Sequence, residues 1–471
     1  MSLVPEQACQ GRDLKKSHTL PTLPHTKLCG GDTYTITKIS IECEPVPSMA
    51  AKVFGAFIVC LIALVVGKDI GPIKEMRTSL TSEVQLGIDL GTTLSVAAVC
   101  VQGNVSVIPV EGYSLTPSVV WFDNETDAHE VGAAAVLKRG THADSVVYAS
   151  KRLIGLTKAD IDKASESLPF VLNTSNGILI ELHSGKKQVS PEEVGSLVLQ
   201  KLKAAAEQSE VLDWFRRSMG FKFHSLTVSV PVTFTDDQRD ATMRAGRLAG
   251  FDQVRLIDEP VAAALAYGLG RTKEAKEVLV FDLGGGTLDI ALMYFSKDAE
   301  TFFVDATGGE PLLGGEDFDV IVADLLLKDV NDESVSTAFR SCPIMWQKLL
   351  VSAEKVKKEL SLTDSVEVCL PNINVQDSPC SHSSTVTRNQ FEAKSRSKLE
   401  LAEKAVLDVL EEANVDKLSP LDVVLVGGSS RIPAIRSAIR SILPNARLHY
   451  EDVDPDQAVA IGAARSWGCN V

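Results

Sequence analysis

Residues 87–98 read GIDLGTTLSVAA, and a close variant of this stretch, VFDLGGGTLDIA, stands at residues 280–291. Each copy is an apolar run that enters an aspartate, a glycine turn, hydroxyl side chains and a second apolar run. The two aspartates, Asp89 and Asp282, are 193 positions apart (282 − 89). A repeat of that length indicates two similar domains and not a solenoid of short units. We therefore expect two lobes whose repeated loops face each other across a cleft.

The composition is that of an ordinary globular protein. The chain has 471 residues, of which 45% are apolar and 23% are charged. These values exclude collagen, a coiled coil and a wholly disordered chain. The 62 acidic residues outnumber the 47 basic residues, and the net charge is −15. Because this surface repels a phosphate backbone, we expect no nucleic-acid partner.

Strand-like and helix-like patterns alternate after residue 84, which predicts an α/β fold. The predicted strands are Gln85–Asp89, Ser95–Val101, Leu226–Val230, Val278–Asp282 and Val423–Val426. The predicted helices are Pro191–Gln208, Thr235–Ala249, Glu259–Gly268, Cys342–Leu360 and Lys394–Glu412. Divided at the repeat, the sequence gives a first lobe at residues 84–272 and a second lobe at residues 273–471.

An uncharged apolar run, VFGAFIVCLIALVV, occupies residues 53–66. It is shorter than the about 20 residues that a membrane span needs, and it has the length of a signal-peptide core. We expect a signal peptide or short anchor at residues 49–67, with Met49 as the initiator; the alternative is a buried core helix or strand. Residues 1–48 would be a disordered extension or an artefact of the gene model. Membrane contact is expected only through residues 53–66, and only if they are not cleaved.

The cysteines and asparagines say little about the compartment. None of the nine cysteines forms a C-x-x-C pair, so a zinc site is unsupported, and we expect the five that follow the apolar run to be mostly buried thiols. Three N-x-S/T sites, at Asn104, Asn124 and Asn173, mildly favour a chain that enters the secretory pathway.

The repeated loops have the chemistry of a phosphate site. A tight turn such as Asp89–Thr93 exposes backbone N–H groups and hydroxyls, which suit phosphate oxygens. Asp89 and Asp282 would hold Mg²⁺ through water, because this ion keeps several waters and takes one or two carboxylates. A single loop of this kind is as typical of an ordinary hairpin as of a phosphate site. Its duplication favours the phosphate site.

A third glycine loop follows the apolar strand at residues 423–426. It reads GGSSR at residues 427–431, and a helix is expected from Pro433. Glycines let a flat base approach the backbone, and Arg431 can stack on a purine. An ordinary strand-to-helix turn with a surface arginine would have the same pattern.

In this order the three loops resemble the ATPase superfamily of actin, the sugar kinases and the heat-shock protein 70 family. Five further segments are similar to the heat-shock protein 70 branch: residues 149–155, 230–239, 257–268, 313–319 and 353–361. The resemblance covers about residues 83–466. It implies a two-lobed actin-like fold, made of duplicated ribonuclease H-like halves, with the nucleotide in the cleft between the lobes.

The resemblance also implies an activity and a setting. The activity is magnesium-dependent ATP hydrolysis with ATP or ADP as the bound nucleotide. Co-chaperones or nucleotide-exchange factors would be the partners of a monomer. The chain ends within what resembles the last helix of the ATPase domain, so we expect no peptide-binding domain. A microsomal subgroup of the family shares this organisation, which points to the endoplasmic reticulum lumen.

Catalytic roles are carried over from the family by position. Lys151 would meet the γ-phosphate, and Glu259 would orient or deprotonate the attacking water. Asp89 and Asp282 would anchor the Mg²⁺ waters, while Thr287 and Asp289 would support the γ-phosphate and the water. From sequence alone, Lys151 is equally a surface lysine and Glu259 an acid at a helix start.

The remaining positions would surround the nucleotide. Those at the phosphates and at the back of the cleft are Gly91, Thr92, Thr93, Gly284, Gly285, Gly286, Gly314, Gly315, Gly427, Gly428, Ser429 and Asp456. Glu354, Lys357 and Ser361 fall on one helix face that could meet the ribose and the purine. A solvated charged face has the same spacing. Lys358 and Arg431 would flank the adenine.

Three positions depart from the family pattern. Leu94 stands where an aromatic residue is usual, Lys358 where many members have arginine, and Asp258 where asparagine is usual. We expect modest adenine affinity and an extra negative charge near the phosphates. Two other functions stay open: a nucleotide-gated scaffold that recruits co-chaperones with little hydrolysis, and a sugar or glycerol kinase.

Overall fold

The structure is a computed structural model. It describes residues 84–139, 141–164, 171–175, 177–183, 185–269, 277–296, 301–310, 313–328, 336–337, 339–340, 343–370, 382–466 and 469. The expected signal segment and the upstream extension lie outside these residues. Within the described part of the chain, no helix is both long enough and apolar enough to cross a membrane.

The described residues form nineteen strands and twelve α-helices. The strands are β1 (Val84–Asp89), β2 (Leu94–Val101), β3 (Asn104–Ile108), β4 (Thr116–Pro117), β5 (Val120–Phe122), β6 (His129–Val131), β7 (Val146–Val147), β8 (Leu172–Asn173), β9 (Leu179–Leu182), β10 (Lys187–Val189), β11 (Ser225–Val230), β12 (Gln253–Asp258), β13 (Glu277–Leu283), β14 (Leu288–Ser296), β15 (Thr301–Glu310), β16 (Ser365–Leu370), β17 (His382–Thr387), β18 (Asp422–Val426) and β19 (Arg447–His449). The helices are α1 (Ala133–Lys138), α2 (Lys158–Ala164), α3 (Pro191–Gln208), α4 (Asp213–Met219), α5 (Asp236–Leu248), α6 (Glu259–Ala266), α7 (Gly315–Lys328), α8 (Pro343–Leu360), α9 (Arg388–Lys394), α10 (Arg396–Glu412), α11 (Pro433–Ile442) and α12 (Ala458–Arg465). All ten elements predicted from sequence are present, with each boundary within two residues of its predicted position.

Two central sheets have the same topology. The first has the order β12-β11-β1-β2-β3, with β4 paired to β2, and the second has the order β19-β18-β13-β14-β15. In each sheet three consecutive strands pair antiparallel, and two later strands add in parallel beside the first of them. The sequence repeat therefore marks a structural duplication, and the fold is the two-lobed α/β actin-like fold that was expected.

Local sequence explains the elements that hold the site. Strand β2 is buried along almost its whole length, as its run of valine and alanine predicts for a strand covered on both faces. Helix α3 begins with a capping box, in which Ser190 accepts from the Glu193 N–H and Glu193 accepts from the Ser190 N–H, and Pro191 follows at the first turn. Helix α5 uses the same device with Thr235 and Gln238.

Each half of the sequence gives one helix to the sheet of the other half. Helix α6 packs its alanine face against β13, β14 and β18 of the second sheet. Helix α12 packs Ala460 and Ala464 against β2 of the first sheet. The two helices cross where Gly462 meets the Ala262 carbonyl, and Arg465 donates to the Leu265 carbonyl at 3.2 Å. By its contacts α12 therefore belongs to the first sheet, although it comes from the second half of the sequence.

A disulfide joins Cys100 of β2 to Cys469, and their Cα atoms are 6.1 Å apart. Cys369 is also disulfide-bonded. The expectation of free thiols is therefore wrong for these three residues. Cys100 and Cys469 are 369 residues apart in sequence, and only the packing of α12 on the first sheet brings them together. Spacing along the chain gave no signal for such a pair.

Candidate active site

A buried ion pair lies at the centre of the candidate site. Lys151 belongs to the short 3₁₀ helix Ser150–Arg152, and Glu259 is the first residue of α6. The Lys151 Nζ lies 2.6 Å from Glu259 Oε1, and the two side chains are 10% and 12% exposed. The two residues are 108 positions apart, so the fold brings together two residues that were both predicted to act at the γ-phosphate.

Three aspartates lie close enough to this ion pair to interact with its charges. Asp89 ends β1, Asp282 lies near the end of β13, and Asp289 lies near the start of β14. Burial, followed by the charge of Glu259, raises the pKa of Asp89 to about 6 and that of Asp289 to about 6. The same two causes raise the pKa of Asp282 well above its usual value. The repeated hairpins thus bring their aspartates into one desolvated cluster.

At Lys151, neighbouring charges together have a larger effect on the pKa than burial has. Burial alone lowers the pKa of its ammonium group, but the charges of Glu259 and Asp89 and the hydrogen bond to Glu259 outweigh burial and raise it. Lys151 therefore stays a cation in the cleft. A cation held among buried carboxylates is suited to receive a polyanionic ligand.

The cluster fits a divalent cation bound through water. Burial and the charge of Glu259 raise the pKa values of Asp89 and Asp282, so the charged carboxylates are destabilised there. A bound cation would offset the free-energy cost of keeping these buried carboxylates ionised. Among the described residues, no group of three or more His, Cys, Asp and Glu side chains could hold a metal directly. A magnesium ion that keeps its waters needs only one or two carboxylates, and Asp89 and Asp282 could supply them.

The glycine loops lie against each other, and there is no room for a side chain at Gly285 or Gly314. A methyl group on Gly285 would overlap the Thr93 hydroxyl, and one on Gly314 would overlap the backbone of Gly285 and Gly286. The Gly315 N–H donates to the Gly284 carbonyl at 2.9 Å, and the Ser429 hydroxyl donates to the same carbonyl at 2.9 Å. The first, second and third glycine loops therefore converge on one cradle.

The hydroxyl residues of the repeated loops lie in or beside the glycine turns. Gly91, Thr92 and Thr93 form the β1–β2 turn. In the second loop, the Thr287 hydroxyl donates to Asp289 Oδ2 at 2.9 Å. A hydroxyl that is held by a carboxylate presents its lone pairs and stays oriented, which suits a residue that positions water or phosphate.

The predicted nucleoside residues divide into two groups. Lys357 is buried, pairs with Asp319 at 2.8 Å and donates to the Gly315 carbonyl at 2.8 Å. Glu354 pairs with the exposed Lys358 at 2.7 Å, and Ser361 follows the last residue of α8. Lys357 therefore holds the start of α7 at Gly315, whereas the Glu354 and Lys358 side chains are more exposed.

Arg431 is engaged by acids. Its guanidinium group donates to Asp454 and to Asp456, the latter at 3.0 Å. Asp456 lies in the segment before α12 and not within that helix. Gly428 lies against Asp456, since a methyl group on Gly428 would come 2.7 Å from its Oδ1. Gly427 has a φ of 78°, which favours glycine, and lies against Asp282.

The sequence did not identify three residues that lie at or beside the candidate site. Ser229 of β11 donates to Asp89 at 2.9 Å, and Arg239 of α5 pairs with Asp258 at 2.7 Å. Arg152 lies against Gly286 and pairs weakly with Glu316 at 3.8 Å. Among the described residues, Arg152 Nε is buried and has no hydrogen-bond partner, so it offers a donor beside the phosphate loop. Arg152 and Arg239 lie within segments that resemble the family, whereas Ser229 had no signal in the sequence.

The duplicated sheets, the converging glycine loops and the buried lysine–carboxylate cluster define a nucleotide-binding protein of the actin-like ATPase class. Comparison with known proteins narrows the class. The sequence profile of the Hsp70 protein family matches residues 85–469, so the chain belongs to the Hsp70 family, whose members are ATPases. It is similar to the chaperone protein dnaK of Cyanidioschyzon merolae (strain NIES-3377 / 10D), with 37% identity over 393 residues. The aligned region covers 81% of this chain and 61% of that relative.

Proposed function

We propose that this chain binds ATP with Mg²⁺ in the cleft between its lobes and hydrolyses it. The observation that carries the proposal is the Lys151–Glu259 pair at 2.6 Å within the aspartate cluster of the two repeated hairpins. Arg152 Nε lies beside Gly286, is buried and has no hydrogen-bond partner among the described residues, so it adds a donor where a polyphosphate would lie.

The side chains have separable tasks in this reaction. The Lys151 ammonium attracts the γ-phosphate and so releases Glu259 from the ion pair. Glu259 then accepts a hydrogen bond or a proton from the attacking water. Asp89 accepts a hydrogen bond from the Ser229 hydroxyl, and Asp282 of the second hairpin is close enough for the charge of Asp89 to help raise its pKa. Bound Mg²⁺ supplies neutralisation of the phosphate charge.

Steady-state hydrolysis of ATP by the full chain, with and without Mg²⁺, tests the proposal. We expect Lys151→Met and Glu259→Gln to lose turnover while fluorescent ADP still binds. The matched control is Lys158→Met, which makes the same change at an exposed lysine of α2. Turnover by Lys151→Met equal to that of the unaltered chain would overturn the assigned chemistry.

The nucleotide-gated scaffold is the second candidate, and one observation favours it. Both residues expected to flank the adenine are engaged by acids, Arg431 by Asp454 and Asp456, and Lys358 by Glu354. Tight nucleotide binding without turnover in the same assay would select the scaffold. Phosphorylation of a polyol would instead select the kinase alternative.

We also propose that the chain works in the endoplasmic reticulum lumen, as an ATPase core of the microsomal stress-70 type served by co-chaperones or nucleotide-exchange factors. Support comes from the Cys100–Cys469 disulfide and the bonded Cys369, because disulfides persist in oxidising compartments. Protease protection of the chain in intact microsomes tests this location. Digestion without detergent would contradict it.

A further inference from the structure

The three N-x-S/T sites noted in the sequence lie in different surroundings. Asn104 is the first residue of β3 and pairs with Val101 of β2. Asn173 lies in β8 and is half-buried, and its Oδ1 accepts from the Ser175 N–H at 3.0 Å. Asn124 lies in the turn between β5 and β6, where residues 124–128 are exposed.

The turn that holds Asn124 is built by its neighbours. Asp123 Oδ1 accepts from the N–H groups of Glu125 and Thr126, at 3.0 and 2.8 Å, and from the Thr126 hydroxyl at 2.8 Å. The Asp123 N–H donates to the Ala128 carbonyl at 2.9 Å and closes the turn. The shape of this segment is therefore set by Asp123, Thr126 and Ala128.

Asn124 itself has no structural task in this turn. Its φ is not positive, so the backbone does not call for asparagine. Among the described residues, its side chain makes no hydrogen bond, ion pair or ring contact. The carboxamide is thus exposed and free, with a threonine hydroxyl two positions on. At Asn104 and Asn173 the third residue is serine.

We propose that Asn124 is an N-glycosylation site. The donor is a lipid diphosphate-linked oligosaccharide. The Asn124 Nδ2 forms a bond to C1 of the first sugar, the bond between C1 and the phosphate oxygen breaks, the lipid diphosphate leaves, and Nδ2 gives up one proton. A glycan attached here extends into solvent, and no residue of the candidate active site lies in the turn. The inference rests on the proposed lumenal location, because the donor and its transferase act there.

Expression of the full chain in eukaryotic cells tests the site. We expect the unaltered chain to gain mobility on gels after peptide-N-glycosidase treatment. Asn124→Gln and Thr126→Ala should lose this glycan, whereas Thr126→Ser, which keeps the hydroxyl, and Asn173→Gln should retain it. After enzymatic release, mass spectrometry should find aspartate at position 124. An Asn124→Gln chain whose glycosidase shift equals that of the unaltered chain would overturn the proposal.

Protease protection in microsomes from the same cells separates the two proposals. A protected chain without a glycan at Asn124 overturns the site and leaves the lumenal location standing. An unprotected chain without a glycan overturns both. ATP turnover of Asn124→Gln should equal that of the unaltered chain, since the residue is outside the catalytic cluster.

Discussion

Asp258 places a negative charge directly before Glu259, and the structure shows how this charge is balanced. Arg239 Nη2 lies 2.7 Å from Asp258 Oδ1, and the same guanidinium group donates to the Phe234 carbonyl at 3.2 Å. Arg239 therefore links Asp258 to the loop that precedes α5. The sequence predicts an extra negative charge near the phosphates, and the structure adds its partner, a guanidinium group 19 residues away on another element.

Removing the charge of Asp258 should therefore change little. The pair is 27% and 30% exposed, and such pairs contribute at most about 1 kcal/mol. We expect Asp258→Asn to alter single-turnover ATP hydrolysis by less than about twofold. Arg239→Gln leaves Asp258 unpaired and should weaken ATP affinity by up to about fivefold. The double variant should recover most of that loss. A marked rise in turnover for Asp258→Asn alone would contradict this account.

Residues that act through the repeat were predictable, and those that act through tertiary contacts were not. The repeat makes its loop residues candidates for a site, because two similar loops carry them: Asp89, Asp282, Thr93 and Gly285. Ser229 lies in a buried strand whose sequence, SLTVSV, has no polar pattern that marks a site. Its role arises only because β11 pairs with β1 and aims the hydroxyl at Asp89.

At the scale of elements, one buried ion pair joins α7 to α8. Lys357 and Asp319 are 9% and 11% exposed at their side chains. Burial raises the pKa of Asp319 to about 6 against the attraction of Lys357. Because Lys357 also donates to the Gly315 carbonyl, the pair holds the start of α7 behind the phosphate loop.

Breaking this pair should be costly. At a pH well above 6, Asp319→Ala leaves the Lys357 ammonium buried without its partner, and we expect a loss of roughly 3–5 kcal/mol in the free energy of unfolding. The double variant Asp319→Leu with Lys357→Met should recover most of it. The control is Asp324→Ala on the same helix, where the exposed pair with Arg340 contributes about 1 kcal/mol or less. Denaturant titration measures all three, and equal losses for Asp319→Ala and Asp324→Ala would refute the argument.

The crossing of α6 and α12 depends on the absence of a side chain. A methyl group at Gly462 would overlap the Ala262 carbonyl, and the overlapping atoms are backbone atoms that cannot rotate away. Helices this close must shift apart to admit it, which also moves Ala460 and Ala464 off the first sheet. The alanine-rich sequences of both helices are consistent with so short a distance between their axes.

We expect Gly462→Ala to destabilise the protein by about 3 kcal/mol or more. Gly195→Ala in α3 is the matched control, because the added methyl would meet Ala245 Cβ at 3.6 Å, an ordinary contact. There the gain in helix propensity of roughly 0.5–1 kcal/mol should make the variant neutral or more stable. Thermal unfolding of the two variants side by side gives the comparison, and similar midpoints would show that the helices are not closely packed.

For the whole molecule, the sequence predicted the two lobes but not how they are tied together. The repeat at Asp89 and Asp282 reports similarity between the halves, and β-strand and helix periodicity locates the elements within them. Neither the repeat nor the periodicity contains information on which helix packs on which sheet. The exchange of α6 and α12 is a long-range packing outcome, set by the alanine faces and by Gly87, against which the backbone of Ala464 rests.

The Cys100–Cys469 disulfide links the segment after α12 covalently to β2 of the first sheet. It fixes the chain just after α12 to β2, so α12 cannot leave the first sheet while the bond is intact. The two cysteines are 369 positions apart in sequence, and long loops lose the most entropy when the unfolded chain is cross-linked. Both cysteines are buried, which keeps the bond away from solvent thiols.

Under oxidising conditions we expect Cys100→Ala and Cys469→Ala each to lower the free energy of unfolding by roughly 2–5 kcal/mol. Because a single bond is lost in either case, the double variant should lose about the same amount and not the sum. Urea unfolding without reductant measures the three losses, and free-thiol titration of the unaltered chain checks that the bond has formed. Additive losses would mean that the two residues act separately, and α12 would then be held by packing alone.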